Sequence, residues 1–117
     1  MKEMNSNQVG ALTLAFVGDA VYELKMRIRF LDHDKTVQHV RAEAQAEALD
    51  KILPLLDDQE LAAYKRGRNA KVNSVPSHAS MEQYHKATGL EALFGWLYMN
   101  DNKARIDELF DRITEDD

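Results

Sequence analysis

Two acidic residues in this chain stand beside glycines inside apolar, helix-like stretches. Gly18-Asp19 is one such place, and Gly89-Leu90-Glu91, followed by Gly95, is the other. A glycine in mid-helix costs about 0.5–1 kcal/mol relative to alanine, so three of them need a compensating gain. Close packing supplies one: without a Cβ, two helix backbones can approach until their side chains converge. If the two helices cross near the glycines, Asp19 and Glu91 meet. Converging carboxylates repel unless a positive charge lies between them, and a hard divalent cation is a natural answer. Magnesium takes one or two carboxylates, several waters and phosphate oxygens, and a metal-activated water can attack a phosphate. Isolated Asp and Glu in helices are also ordinary surface or ion-pair residues. Glu23, one turn after Asp19, has the spacing to pair with Arg27. Spacing alone leaves both readings open.

A second feature is electrostatic. Tyr64 to Lys71, Tyr-Lys-Arg-Gly-Arg-Asn-Ala-Lys, puts four positive charges into eight residues, and no Asp or Glu occurs from Leu61 to Met81. The rest of the chain carries −9 against a whole-chain −5. Such segregation attracts a polyanion, and a phosphate backbone is the natural one. Lys65, Arg66, Arg68, Asn69 and Lys71 are the candidate contacts. Arg66 and Arg68 come foremost because a guanidinium holds two phosphate oxygens at once. Gly67 reads as a flexible point, and Pro76 as a limit on the loop's freedom. A solvated helix end, with Lys and Arg favoured by the helix dipole, accounts for the same charges.

Other constellations carry less. His33, His39, His78 and His85 lack tight zinc-ligand spacing. No phosphate-binding glycine fingerprint follows a strand, so no nucleotide cofactor is expected. Ser74, Ser77 and Ser80 near His78 are weak grounds for a nucleophile. Phe94, Trp96 and Tyr98 read as core or interface.

The periodicity around these residues is helical nearly throughout. A first helix is expected over about Val9–Leu31, capped by Asn5, Ser6 or Asn7, with Leu14, Val17, Val21, Leu24 and Ile28 as its buried stripe. A second runs over about Thr36–Leu53 and ends at Pro54. Asp57 and Glu60 have capping-box spacing for a third, about Asp58–Arg66. Gly67–Ser80 is expected to form the one long loop. Ser80 and Gln83 begin a fourth helix reaching about Met99, and a last one spans about Asp101–Ile113 before an acidic tail. A chain of 117 residues without repeats or linkers is read as one compact all-α domain, residues 1–117. Cysteine is absent, which rules out disulfides and thiolate metal sites. The polar stretch Met1–Gln8 has no signal-peptide core, and no apolar run approaches membrane-spanning length. The expected setting is the cytoplasm, with no membrane partner.

Taken together, these blocks resemble a known family. Gly18-Asp19-Ala20-Val21-Tyr22-Glu23, preceded by Leu14-Ala15-Phe16-Val17, resembles the signature helix of ribonuclease III domains. Ala87-Thr88-Gly89-Leu90-Glu91-Ala92-Leu93-Phe94-Gly95-Trp96-Leu97-Tyr98 resembles that family's second catalytic helix. Between them, Ala44-Gln45-Ala46-Glu47-Ala48-Leu49 and Tyr64–Lys71 are similar to the short Mini-ribonuclease III subfamily. Its bacterial members consist of the catalytic domain without a double-stranded-RNA-binding domain. The likeness runs over roughly Leu12–Leu109.

The resemblance implies an all-α ribonuclease III endonuclease fold, a homodimer, and magnesium-dependent cleavage of double-stranded RNA. It also implies maturation of the stem flanking the large-subunit (23S) ribosomal RNA precursor, with a ribosomal protein as a further partner. Asp19 matches the family's invariant metal-associated aspartate, and Glu91 its metal-ligating glutamate. Ala15 and Thr88 stand where full-length ribonuclease III has two further acidic residues, so fewer cations are expected. Phe16 matches an aromatic that packs across the dimer axis, although an ordinary core phenylalanine fits the same pattern. Two readings compete with the enzyme: a non-catalytic double-stranded-RNA-binding protein of the same fold, and a helical protein-interaction module that would show no magnesium dependence.

Overall fold

Helix α5 (Met81–Met99) is the axis around which the other helices assemble. Ser80 and Gln83 form the expected capping box at its start. Ala87, Leu90, Ala92, Leu93, Phe94 and Leu97 are all buried, so apolar residues surround the helix, the pattern of a central element. The computed structural model describes residues 9–71 and 80–116. Five further α-helices surround α5: α1 (Ala11–Phe30), α2 (His33–Val40), α3 (Ala42–Ile52), α4 (Asp58–Arg68) and α6 (Lys103–Thr114). A short 3-10 turn, Leu53–Leu55, holds Pro54 between α3 and α4. No strand occurs among the described residues, and no helix there is long and apolar enough to cross a membrane.

The main core joins α1, α3, α4, α5 and α6. At its centre the Tyr22 ring meets Phe94 edge-on at 5.3 Å and Phe110 at 6.1 Å. The expected Asp57–Glu60 capping box opens α4. Glu60 also takes a two-pronged ion pair from Arg105 (2.7 and 2.9 Å), and Arg105 reaches the Leu55 carbonyl, which ties α6 to the start of α4.

Several expectations fail for physical reasons. The first helix is capped by Gly10, without a side-chain bond; Asn5, Ser6 and Asn7 lie outside the described residues. Its core-facing residues are Leu14, Ala15, Gly18, Tyr22 and Met26, whereas Leu24 and Ile28 are 58% and 62% exposed. α1 is apolar on two sides, and periodicity cannot choose the one that meets the chain's own core. The single second helix is two: Arg41 adopts an extended backbone (ψ 154°) and separates α2 from α3. Gly67 and Arg68 belong to α4 rather than to a loop. A Cβ on Gly67 would lie 2.4 Å from the Ala92 side chain and 2.9 Å from the Thr88 carbonyl. That glycine therefore brings α4 against α5 and is no hinge. Pro76, Ser74, Ser77 and His78 lie outside the described residues.

Candidate active site

The crossing of α1 and α5 is made by two of the glycines. A Cβ on Gly18 would lie 1.6 Å from the Glu91 carbonyl oxygen and 2.8 Å from the Gly95 nitrogen; one on Gly95 would lie 1.9 Å from the Leu14 carbonyl oxygen. No side chain fits in either place. The two backbones touch where Gly18 precedes Asp19, so the acidic residues beside the contact are brought together. Gly89 works elsewhere: the space its Cβ would need belongs to the Tyr64 ring of α4.

The Asp19 and Glu91 carboxyls interact, and the Glu91 carboxyl is pushed from 4.5 up to about 8. Burial is the largest cause, followed by the hydrogen bond to Asp19 and by its negative charge. Gln45, buried on α3, opposes the shift: its Nε2 donates toward Glu91 Oε2 at 3.4 Å and to the Val40 carbonyl at 2.8 Å. Among the described residues neither Asp19 nor Glu91 is in an ion pair with Lys or Arg. Glu23, by contrast, bonds Arg27 at 2.7 Å, as its spacing predicts.

Ala15 and Thr88 lie one helical turn before Asp19 and Glu91, and both are buried. Thr88 Oγ1 donates to the carbonyl of Tyr84 in its own helix, so neither residue adds a charged oxygen. No group of three or more His, Cys, Asp or Glu converges among the described residues. The donor set is two carboxylates, one of them ready to exchange a proton for a cation. This fits magnesium, which needs one or two carboxylates and fills its other positions with water and phosphate oxygens. The set is too sparse for a cage built wholly from protein.

The basic residues divide. Lys65, Asn69 and Lys71 are exposed. Arg68 is half-buried; its guanidinium lies 5.5 Å above the Tyr64 ring, and its Nε donates to Asn69 Oδ1. Arg66 is also half-buried and donates from Nη2 to the Val9 carbonyl at 2.8 Å, holding the segment before α1. Sequence could not show that Arg66 is tied to a distant backbone carbonyl.

Phe16 is 79% exposed, which rules out a place in this chain's own core. It borders a 640 Å³ groove lined also by Val17, Ala20, Leu24, Tyr98 and Ile106. Asp19 lines the same groove. Phe94 is buried, Trp96 half-buried and Tyr98 exposed. Gln45 is the site residue that sequence reading passed over. Its one signal was a long polar side chain in an alanine-rich helix.

Comparison with known proteins accords with this arrangement. The family model described as "Ribonuclease III domain" matches residues 12–102. A Clostridium tetani protein named Mini-ribonuclease 3 is 37% identical over 112 residues, which cover 87% of this chain and 74% of the relative. The Mini-ribonuclease 3 of Symbiobacterium thermophilum is 37% identical over 118 residues, covering 93% and 91%. That of a Thermoanaerobacter species is 44% identical over 98, covering 75% and 68%. A crystal structure of a Fusobacterium nucleatum protein, 26% identical, superposes with a TM-score of 0.89 over 97% of this chain and 95% of that one.

Proposed function

The chain belongs to the Mini-ribonuclease 3 family of ribonuclease III domains and is an endoribonuclease; we propose that it hydrolyses double-stranded RNA with magnesium held by Asp19 and Glu91. The observation that carries this reading is the meeting of two carboxylates at a glycine–glycine helix crossing, with no ion pair to Lys or Arg among the described residues. When bound there, magnesium supplies a nucleophilic water near neutral pH and stabilises charge developing on the phosphate. The chain's own part is to hold the two carboxylates in register, to surrender the Glu91 proton when the cation arrives, and to bring the scissile phosphate to the site.

Substrate binding falls to the cations around the end of α4. Lys65, Arg68 and Lys71 contact phosphates in this reading, with Asn69 beside them, while Arg66 mainly secures the N-terminal segment. A-form RNA offers phosphates, 2′-hydroxyls and shape rather than readable base edges, so limited sequence selectivity is expected. A second copy seated on the Phe16 groove forms a homodimer with two Asp19–Glu91 pairs, one for each strand. The physiological substrate proposed is the stem flanking the 23S ribosomal RNA precursor, in the cytoplasm, with a ribosomal protein as an accessory partner. Residues 1–117 act as one catalytic domain in this account.

The test uses purified protein with a long RNA duplex and each of its single strands, in magnesium and in chelator. Cleavage of the duplex only, and only in magnesium, is expected. Equal cutting of the single strands, or cutting in chelator, would refute the proposal.

A further inference from the structure

Gln45 is 3% exposed, on the α3 face that meets α5. Burying a primary amide without hydrogen bonds is costly, so its position needs a reason. One of its Nε2 hydrogens goes to the Val40 carbonyl at 2.8 Å, and Nε2 stands 3.4 Å from Glu91 Oε2. Val40 can accept because the chain breaks at Arg41: in a continuous α2–α3 helix its carbonyl would be taken by the amide of Ala44. The break thus supplies a fixed acceptor that turns the amide fork toward Glu91. Gln45 Oε1 is buried without a hydrogen-bond partner among the described residues, so the two donated contacts alone orient the group. The chemistry is selective too. A lysine at this place would neutralise Glu91 and compete with a cation, whereas an amide donates without cancelling charge. The 3.4 Å contact is long, as contacts within catalytic sites often are before ligands bind.

We infer that Gln45 is a positioning residue of the active site: anchored on the carbonyl freed by the α2–α3 break, its amide holds the Glu91 carboxylate in the orientation that binds the cation. The inference rests on the magnesium site proposed above. It assigns a function both to the helix break and to the alanine-rich segment, Ala44–Leu49, that surrounds the glutamine.

The experiment compares the full chain with Gln45→Met, which keeps length and bulk but cannot donate, and with Gln45→Asn, which keeps the amide but is one methylene too short to span both acceptors. Magnesium is titrated in two readouts, the rise in melting temperature over each variant's own metal-free value and the cleavage rate of duplex RNA. Half-saturating magnesium should rise about 10- to 100-fold in both variants, the usual effect of losing a group that orients a metal ligand. Duplex affinity without divalent ions should stay unchanged. Reading each shift against the variant's own baseline separates metal binding from general destabilisation, and Gln45→Asn serves if Gln45→Met does not fold. An unaltered magnesium midpoint in either folded variant, with a normal wild type, would overturn the inference alone. A wild type whose melting does not respond to magnesium would refute the underlying site and the inference with it.

Discussion

Gly18→Ala should reverse the usual sign of a helix substitution. In an ordinary helix interior, replacing glycine with alanine gains about 0.5–1 kcal/mol. Here the new Cβ would stand 1.6 Å from the Glu91 carbonyl oxygen and 2.5 Å from its carbon, both rigid backbone atoms. Restoring a 3.4 Å contact requires about 1.8 Å of separation between α1 and α5 at the point where Asp19 meets Glu91. Overpacking of a well-filled contact costs about 1–3 kcal/mol, occasionally more, and a backbone-to-backbone clash belongs at the upper end. After the propensity gain, a net loss of about 2 kcal/mol or more remains, worth roughly 10 °C in melting temperature for a domain near this size. Activity should fall further than stability, because misplacing catalytic groups by about 1 Å can cost 100-fold. Gly95→Ala, whose Cβ would lie 1.9 Å from the Leu14 carbonyl, should behave alike. Gly10→Ala, with nothing within 4 Å of its Cβ, should melt within a few degrees of wild type. Thermal melts of the three variants, with duplex cleavage at a temperature where all are folded, make the assay. A Gly18→Ala protein as stable and active as wild type would refute the argument that the glycine crossing builds the site.

Protons, phosphates and assembly each offer a further test. The folded chain holds the Glu91 proton to about pH 8 and the unfolded chain only to about 4.5, so this group's stabilisation of the metal-free protein is full below pH 4.5 and lost as pH rises through 8. Glu91→Gln should abolish that decline in denaturant melts at pH 6 and 9; parallel curves for both proteins would contradict it. Because the cation needs the ionised carboxylate, half-saturating magnesium should fall about tenfold between pH 6 and 7 and little above pH 8, measured by magnesium-dependent melting. Replacing Lys65 and Arg68 by alanine should lower the slope of log duplex affinity against log salt by about 0.9 per contact if RNA behaves as B-DNA does, whereas Arg66→Ala should leave it nearly unchanged. Phe16→Asp should shift the protein toward monomer in sedimentation without lowering its helix content; an unchanged dimer would remove Phe16 from the interface.

Sequence revealed most where a local rule decides the outcome. Asp57–Glu60 and Ser80–Gln83 mark helix starts because the reciprocal bonds lie within four residues. The meeting of Asp19 and Glu91 was legible from Gly18 and Gly95, since few things other than backbone contact justify glycine at such positions. What sequence could not show depends on partners far along the chain. Leu24 and Ile28 obey helical periodicity as well as Tyr22 and Met26 do, yet only the second pair faces this chain's own core. Arg41 carries no breaking signal, and its extended backbone becomes intelligible only through the Val40–Gln45–Glu91 contacts it permits. Gly67 looked like a hinge beside basic residues because flexibility and close packing leave the same mark in sequence. Arg66 could be separated from Arg68 only by its bond to Val9, 57 residues away.

Single-turnover cleavage of duplex RNA by Asp19→Asn, at saturating protein, decides whether Asp19 and Glu91 form a magnesium-dependent phosphodiesterase site. The substitution preserves size and removes charge from the cation site, so nucleophile generation and charge stabilisation are lost together. The rate should fall about 100- to 1000-fold at any magnesium concentration, with helix content and metal-free duplex binding retained, in line with the rate carried by a single catalytic electrostatic group. Cleavage by Asp19→Asn at the wild-type rate would contradict it.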